Sequence, residues 1–134
     1  MVCIYCGGKT QVTNSRLQKR LNHTWRRREC YQCGAIFTTQ ETPELGTSLT
    51  VRHGNGPMQP FSRDKLFASV LRAVGHREAA VDDASALTAT ITAKLLGSSH
   101  NASVSPIDII QIALTTLQHF DTAAAVQYQA YHRV

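Results

Sequence analysis

The 134-residue chain has the length of one ordinary domain, but its formal charge of +5 is unevenly placed. Residues 1–42 carry Lys9, Arg16, Lys19, Arg20, Arg26, Arg27 and Arg28 against only Glu29 and Glu41, whereas the charges of the remainder balance, so an anionic partner is expected on the N-terminal third. No apolar segment is long enough for a membrane helix, and the first residues lack the regions of a signal peptide, so no membrane partner and a cytoplasmic location are expected, where stable disulfides are uncommon.

Between Gln11 and Glu41 the sequence reads as short strands rich in Thr, Val, Trp, Ile and Phe, broken by polar turns such as Leu21-Asn22-His23. Thr42 to Ser48 contains a proline, a glycine and small polar residues and reads as a linker. Leu49 to His53 then looks like a strand that turns through Gly54-Asn55-Gly56-Pro57 and returns at Met58-Gln59, a hairpin.

From Ser62 the pattern is helical. Leu66, Phe67, Val70, Leu71 and Val74 form an apolar stripe, with Ser62 as N-cap and Gly75 near the end. A second helix is expected to start at Asp83, to bury Ala84, Leu87, Ile91 and Leu95, and to close at Gly97 in left-handed geometry. Ser105-Pro106-Ile107-Asp108 supplies a capping serine, a first-turn proline and an acid at the third helical position, the start signal of a third helix carrying Ile110, Leu114 and Leu117. Asp121 begins a fourth, from Thr122 to about His132, with Val126 and Tyr128 among its larger apolar residues. The expected fold class is α+β: a small all-β module over 1–42, a linker over 43–48, and a mainly helical domain over 49–134 with about four helices and a short hairpin.

Cys3-Ile4-Tyr5-Cys6-Gly7 and Cys30-Tyr31-Gln32-Cys33-Gly34 are two copies of one local design. Two thiolates three positions apart on a tight turn can reach one ion, and the following glycine lets the turn close. Four thiolates with no open position describe a structural Zn²⁺ site, one per chain, held by Cys3, Cys6, Cys30 and Cys33. A module of this size also seldom buries enough surface to fold without a metal or crosslinks. Redox-active dithiols, paired disulfides and a rubredoxin-type iron site compete with zinc. Neither cysteine pair sits between a strand and a helix as a thioredoxin-like motif would, and iron shares the donor set.

Thr24-Trp25-Arg26-Arg27-Arg28-Glu29 runs into the second cysteine turn. On a strand, Arg26 and Arg28 share one side and Arg27 takes the other. Guanidinium forks match phosphate oxygens and the guanine edge, Trp25 covers an apolar patch or stacks on a base, and Arg16, Lys19 and Arg20 extend the patch. The alternatives are a solvated charge run, with Trp25 part of a small core.

Together with Asn14-Ser15-Arg16, Arg26-Arg27-Arg28-Glu29-Cys30 and Cys33-Gly34-Ala35-Ile36-Phe37-Thr38-Thr39-Gln40-Glu41, these residues make the chain similar to the NrdR family, bacterial repressors of ribonucleotide reductase genes. The resemblance spans nearly the whole chain. It implies a zinc ribbon that binds double-stranded operator DNA, followed by an ATP-cone that binds ATP or dATP and changes the state of a homo-oligomer. It places nucleotide contacts at Val51, Arg52, His53, Gln59 and Lys65, Lys65 standing where the family has a phosphate-binding lysine. His53, Gly54 and Asn55 stand where the family pattern has lysine, arginine and aspartate. The sequence holds no Walker-type glycine loop, no open metal site and no nucleophile with an evident base, so an enzyme is not expected. The competing functions are a ribbon that binds RNA or a polymerase beside a cone that only dimerises, and a thiol oxidoreductase.

Overall fold

The computed structural model describes residues 1–132 and divides the chain into two compact units, Met1–Pro43 and Glu44–Val134. The last two residues of the domain expected over 49–134 lie outside the described residues. The first unit is an antiparallel sheet of β1 (Thr10–Gln18), β2 (His23–Cys30) and β3 (Ile36–Glu41), with β2 in the centre. Asn22 makes the β1–β2 reversal with φ of 49°, a left-handed position that a short polar side chain tolerates. β1 pairs regularly with β2 from Thr10↔Cys30 to Val12↔Arg28, then shifts by one residue and resumes at Asn14↔Arg27, a β-bulge that leaves Thr13 unpaired. Its buried cluster is Cys3, Cys30 and Phe37, with Ala35 against it.

The second unit begins with a four-residue helical turn, α1 (Leu45–Ser48), in the stretch expected as linker. Glu44 caps it through the Gly46 amide, and Leu45 packs on the core behind it. The expected hairpin forms from β4 (Thr50–Arg52) and β5 (Met58–Pro60), with Gly54 at φ of +55° in the turn. A third strand, β6 (Ser103–Val104), pairs parallel to β4 and makes the order β5-β4-β6. This strand is too short to leave a pattern in sequence and exists only through its distant partner.

Helix α2 (Arg63–Val74) starts as expected, the Ser62 hydroxyl accepting from the Lys65 amide. Helix α3 (Ala80–Ser98) begins earlier than the expected cap at Asp83 and has no side-chain cap bond. Asp83 lies in its first turn, where its amide already donates to Ala79 O and its carboxylate accepts from Arg77 Nε at 2.7 Å. Gly97 is helical and does not close α3. Helix α4 (Pro106–Phe120) has the full reciprocal capping box of Ser105 and Asp108. Helix α5 (Thr122–Tyr131) is capped by Asp121, whose Oδ1 accepts from the amides of Ala123 and Ala124. Val126 is exposed, while Tyr128 is buried. The core of this unit runs from Leu49 and Phe61 through Val70, Ile91, Leu95 and Leu117 to Tyr128, so α2–α5 bury one face each against a common centre.

Candidate metal centre and nucleic-acid interface

Each cysteine turn is closed by the same pair of backbone bonds. Cys3 N donates to Gly8 O and Gly7 N to Cys3 O; Cys30 N donates to Ala35 O and Gly34 N to Cys30 O. Gly7 at φ of +75° and Gly34 at +71° occupy the left-handed region that makes this closure cheap only for glycine. The turns also aim amides at sulfur: Tyr5 N lies 3.4 Å from Cys3 Sγ, Gly8 N 3.4 Å from Cys6 Sγ, and Gln32 N 3.3 Å from Cys30 Sγ.

The four sulfurs converge within 4.8 Å of one another. Cys3 Sγ is 3.8 Å from Cys33 Sγ, and Cys6 Sγ is 3.5 Å from Cys30 Sγ. A tetrahedral ion with metal–sulfur bonds of about 2.3 Å has sulfur–sulfur edges of about 3.8 Å, so the site fits a structural zinc ion. The same separations are far longer than a disulfide bond of about 2.0 Å. Electrostatics add to this. The Cys33 amide, against burial and with the Gln32 amide and two neighbouring sulfurs, holds the Cys30 thiol down to about 6. The Gly8 amide acts on Cys6 in the same direction, but the Cys30 sulfur, burial and the remaining sulfurs outweigh it and push Cys6 up to about 12. Four thiolates at this spacing are compatible only when a cation sits among them.

The second cysteine turn anchors β2, and β2 carries the arginines. Arg26 is paired with Ser15 and Thr39, Arg27 with Asn14 and Thr38, and Arg28 with Val12 and Phe37. Arg26 Nη1 bonds Glu41 Oε2 at 2.7 Å, and Arg28 Nε donates to Thr39 Oγ1 at 3.3 Å. Arg27 is exposed. Trp25 is half-buried, lies outside the buried cluster and sits between Arg16 and Gln40, so it is no part of the ribbon's core. Arg16 is exposed on β1, and Lys19 and Arg20 are exposed in the β1–β2 turn. Glu41 and Thr39 become partners of the arginines only through the strand register, which the sequence does not show.

In the helical unit, Val51 is half-buried against the core and pairs with Gln59 and Val104. Arg52, His53, Gln59 and Lys65 are exposed, and Arg52 Nη2 lies 3.4 Å from Met58 Sδ. Arg52 also lines a cleft of about 410 Å³ with Gly54, Met58, His100, Asn101, Ser103, Val104, Ser105 and Asp108. Val51, His53, Gln59 and Lys65 do not line it; the first three share the hairpin and Lys65 stands in the first turn of α2. His100 and Asn101 carry no signal in the sequence that would place them at this cleft. Consecutive left-handed residues, Asn101 at φ of 53° and Ala102 at 54°, shape that wall, and alanine gives no sequence sign of such a conformation. The Ser105 amide and hydroxyl hold the Asp108 carboxyl below the usual carboxylate range.

Among the described residues, no helix is long and apolar enough to cross a membrane. Residues 1–41 match the family of the N-terminal domain of transcriptional repressor NrdR-like proteins, a zinc ribbon. A relative named transcriptional repressor NrdR, from Symbiobacterium thermophilum, is 33% identical over 133 residues, which cover 99% of this chain and 87% of that protein.

Proposed function

We propose, from the premise that the chain belongs to the NrdR family of transcriptional repressors, that it represses by binding operator DNA through the ribbon while the helical unit senses adenine nucleotides and sets the oligomeric state. The observation that carries this reading is the arginine-bearing central strand locked to the thiolate site. That strand presents the exposed Arg27 on a rigid sheet, near Arg16, Lys19 and Arg20, in the unit that holds the whole excess charge of the chain. Ribonucleotide reductase genes are the targets that the family points to. ATP or dATP would reach Val51, Arg52, His53, Gln59 and Lys65 on the hairpin and the start of α2, with Arg52 extending toward the cleft. A nucleotide that binds one oligomer more tightly shifts the population to it, and an oligomer with correctly spaced ribbons engages paired half-sites.

Anisotropy with a duplex from a reductase-gene promoter and a scrambled duplex at equal salt tests the DNA half; equal affinity for the two removes operator recognition. Calorimetry with ATP and dATP on the unaltered chain and on Lys65→Ala tests the other half. Loss of binding in the variant without loss of cooperative unfolding is the expected result. If the unaltered chain binds neither nucleotide at millimolar concentration, the helical unit serves dimerisation alone, in keeping with His53 and Gly54 in place of two cations.

A further inference from the structure

We infer that the sheet face bearing Arg16, Trp25 and Arg27 lies against duplex DNA, and that Arg26 and Arg28, on the opposite face, are engaged by partners within the sheet. This deepens the DNA-binding reading and rests on it. Residues paired across an antiparallel sheet share a face, and neighbours along a strand do not. One face therefore holds Arg26 between Ser15 and Thr39, and Arg28 between Val12 and Phe37. Its cations are already engaged, Arg26 by the Glu41 carboxylate and Arg28 by the Thr39 hydroxyl, and Phe37 on that face is buried with Cys3 and Cys30. Presenting Arg26 to phosphates would require breaking an ion pair and bringing the Glu41 carboxylate toward a polyanion.

The other face is built differently. Arg27 lies between Asn14 and Thr38, both exposed and uncharged, and among the described residues its guanidinium has no hydrogen-bond or ion-pair partner. The next row sets Trp25 between Arg16 and Gln40. The carboxylate of this face, Glu29, is in the row nearest the thiolate site, so the cationic rows run away from it toward Lys19 and Arg20 in the turn.

The bulge produces this arrangement. Had the register of Thr10↔Cys30 and Val12↔Arg28 continued unbroken, Arg16 would stand opposite Thr24, on the face of Arg26 and Arg28. The extra residue at Thr13 moves it opposite Trp25 and onto the face of Arg27. The result is two guanidinium groups unpaired among the described residues, a flat indole and the carboxamides of Asn14 and Gln40 on one surface. Arginine forks fit phosphates and guanine, carboxamides fit adenine, and an aromatic surface fits a thymine methyl, so charge and hydrogen-bonding chemistry both match a duplex.

The test uses the full chain and four variants, Arg16→Ala, Arg27→Ala, Arg26→Ala and Arg28→Ala, each checked for zinc content. Anisotropy is read with promoter and scrambled duplexes over a salt series. Arg16→Ala and Arg27→Ala should each weaken the promoter complex roughly tenfold if the residue reads a base, or lower the salt slope by about 0.9 if it holds a phosphate. Arg26→Ala and Arg28→Ala with zinc retained should bind like the unaltered chain. The reverse pattern, or equal losses in all four, overturns the face assignment and leaves DNA binding by the ribbon standing. Four variants that match an unaltered chain which itself binds the duplex would remove the ribbon as the DNA-binding surface, and the face assignment with it.

Discussion

Stripping the metal should unfold the ribbon and leave the helical unit folded. The ribbon's buried cluster is Cys3, Cys30 and Phe37, in which Phe37 is the one large side chain. Burying such a side chain contributes about 1.5–3 kcal/mol. Fixing the backbone of each ordered residue costs about 1–2 kcal/mol, so a core of this size cannot offset the ordering of three strands. A structural zinc site contributes an apparent ~10–16 kcal/mol near neutral pH, several times what the one large core side chain supplies. The helical unit has no such deficit, because its core runs continuously from Leu49 to Tyr128. Two signals separate the units cleanly. Trp25 is the single tryptophan of the chain and lies on β2, so its emission reports the ribbon, while far-ultraviolet circular dichroism reports chiefly α2–α5. A strong chelator should move Trp25 emission to that of a solvated indole and leave the helical signal and its thermal transition in place. Cys30→Ser should reproduce that state without chelator and be purified with less than one zinc per chain. Unchanged Trp25 emission in protein proved metal-free would refute the argument, as would loss of the helical transition together with the ribbon.

Two further outcomes test the helical unit. Asp121 accepts from His76 Nε2 and Arg77 Nη1, each at 3.0 Å, and caps α5; His76, then Arg77, then the capping amides of Ala124 and Ala123, hold its carboxyl well below the usual range against burial. A carboxyl depressed in the folded state stabilises fully above its unfolded value near ~3.9 and loses that contribution as pH falls below it. Asp121→Asn, which keeps a capping oxygen, should therefore lower stability at neutral pH and flatten the acid limb of a melting-temperature profile; an acid limb unchanged from the parent would show that Asp121 does not carry it. Thr92 Oγ1 is buried and has no hydrogen-bond partner among the described residues, so Thr92→Val should match or exceed the parent in stability by about 1 kcal/mol, read from denaturant midpoints. A clear loss would mean that the hydroxyl has a partner.

What the sequence disclosed was local chemistry. The two cysteine turns are complete within five residues each, including the glycine whose left-handed backbone closes them, so their role is visible before any fold is known. The same holds for the Ser62 and Ser105 caps, where a hydroxyl meets an amide three residues on. Sequence reasoning failed where a local signal was overridden or a distant strand was needed. Asp83 resembles a cap, but the helix has already begun at Ala80; Gly97 resembles a stop, but the helix passes through it; β6 is two residues that become a strand only beside β4. The cleft belongs to the same class, since its His100–Asn101 wall meets Arg52 only after the parallel pairing has formed.

The arginine run shows both behaviours in three residues. Alternation along a strand is enough to say that Arg27 diverges from Arg26 and Arg28, and the structure has them so. Which face is free is a different question, decided by Thr39 and Glu41 on one neighbouring strand and by one extra residue, Thr13, on the other. A bulge costs a ladder bond and leaves no periodic mark, so no reading of hydrophobic or charged spacing along β1 would place Arg16 beside Trp25. The bulge therefore changes which cations stand together without changing the net charge of the ribbon. For a sheet that meets a polyanion, the count of arginines sets the strength of nonspecific attraction, whereas the register sets which of them can touch the same groove at once.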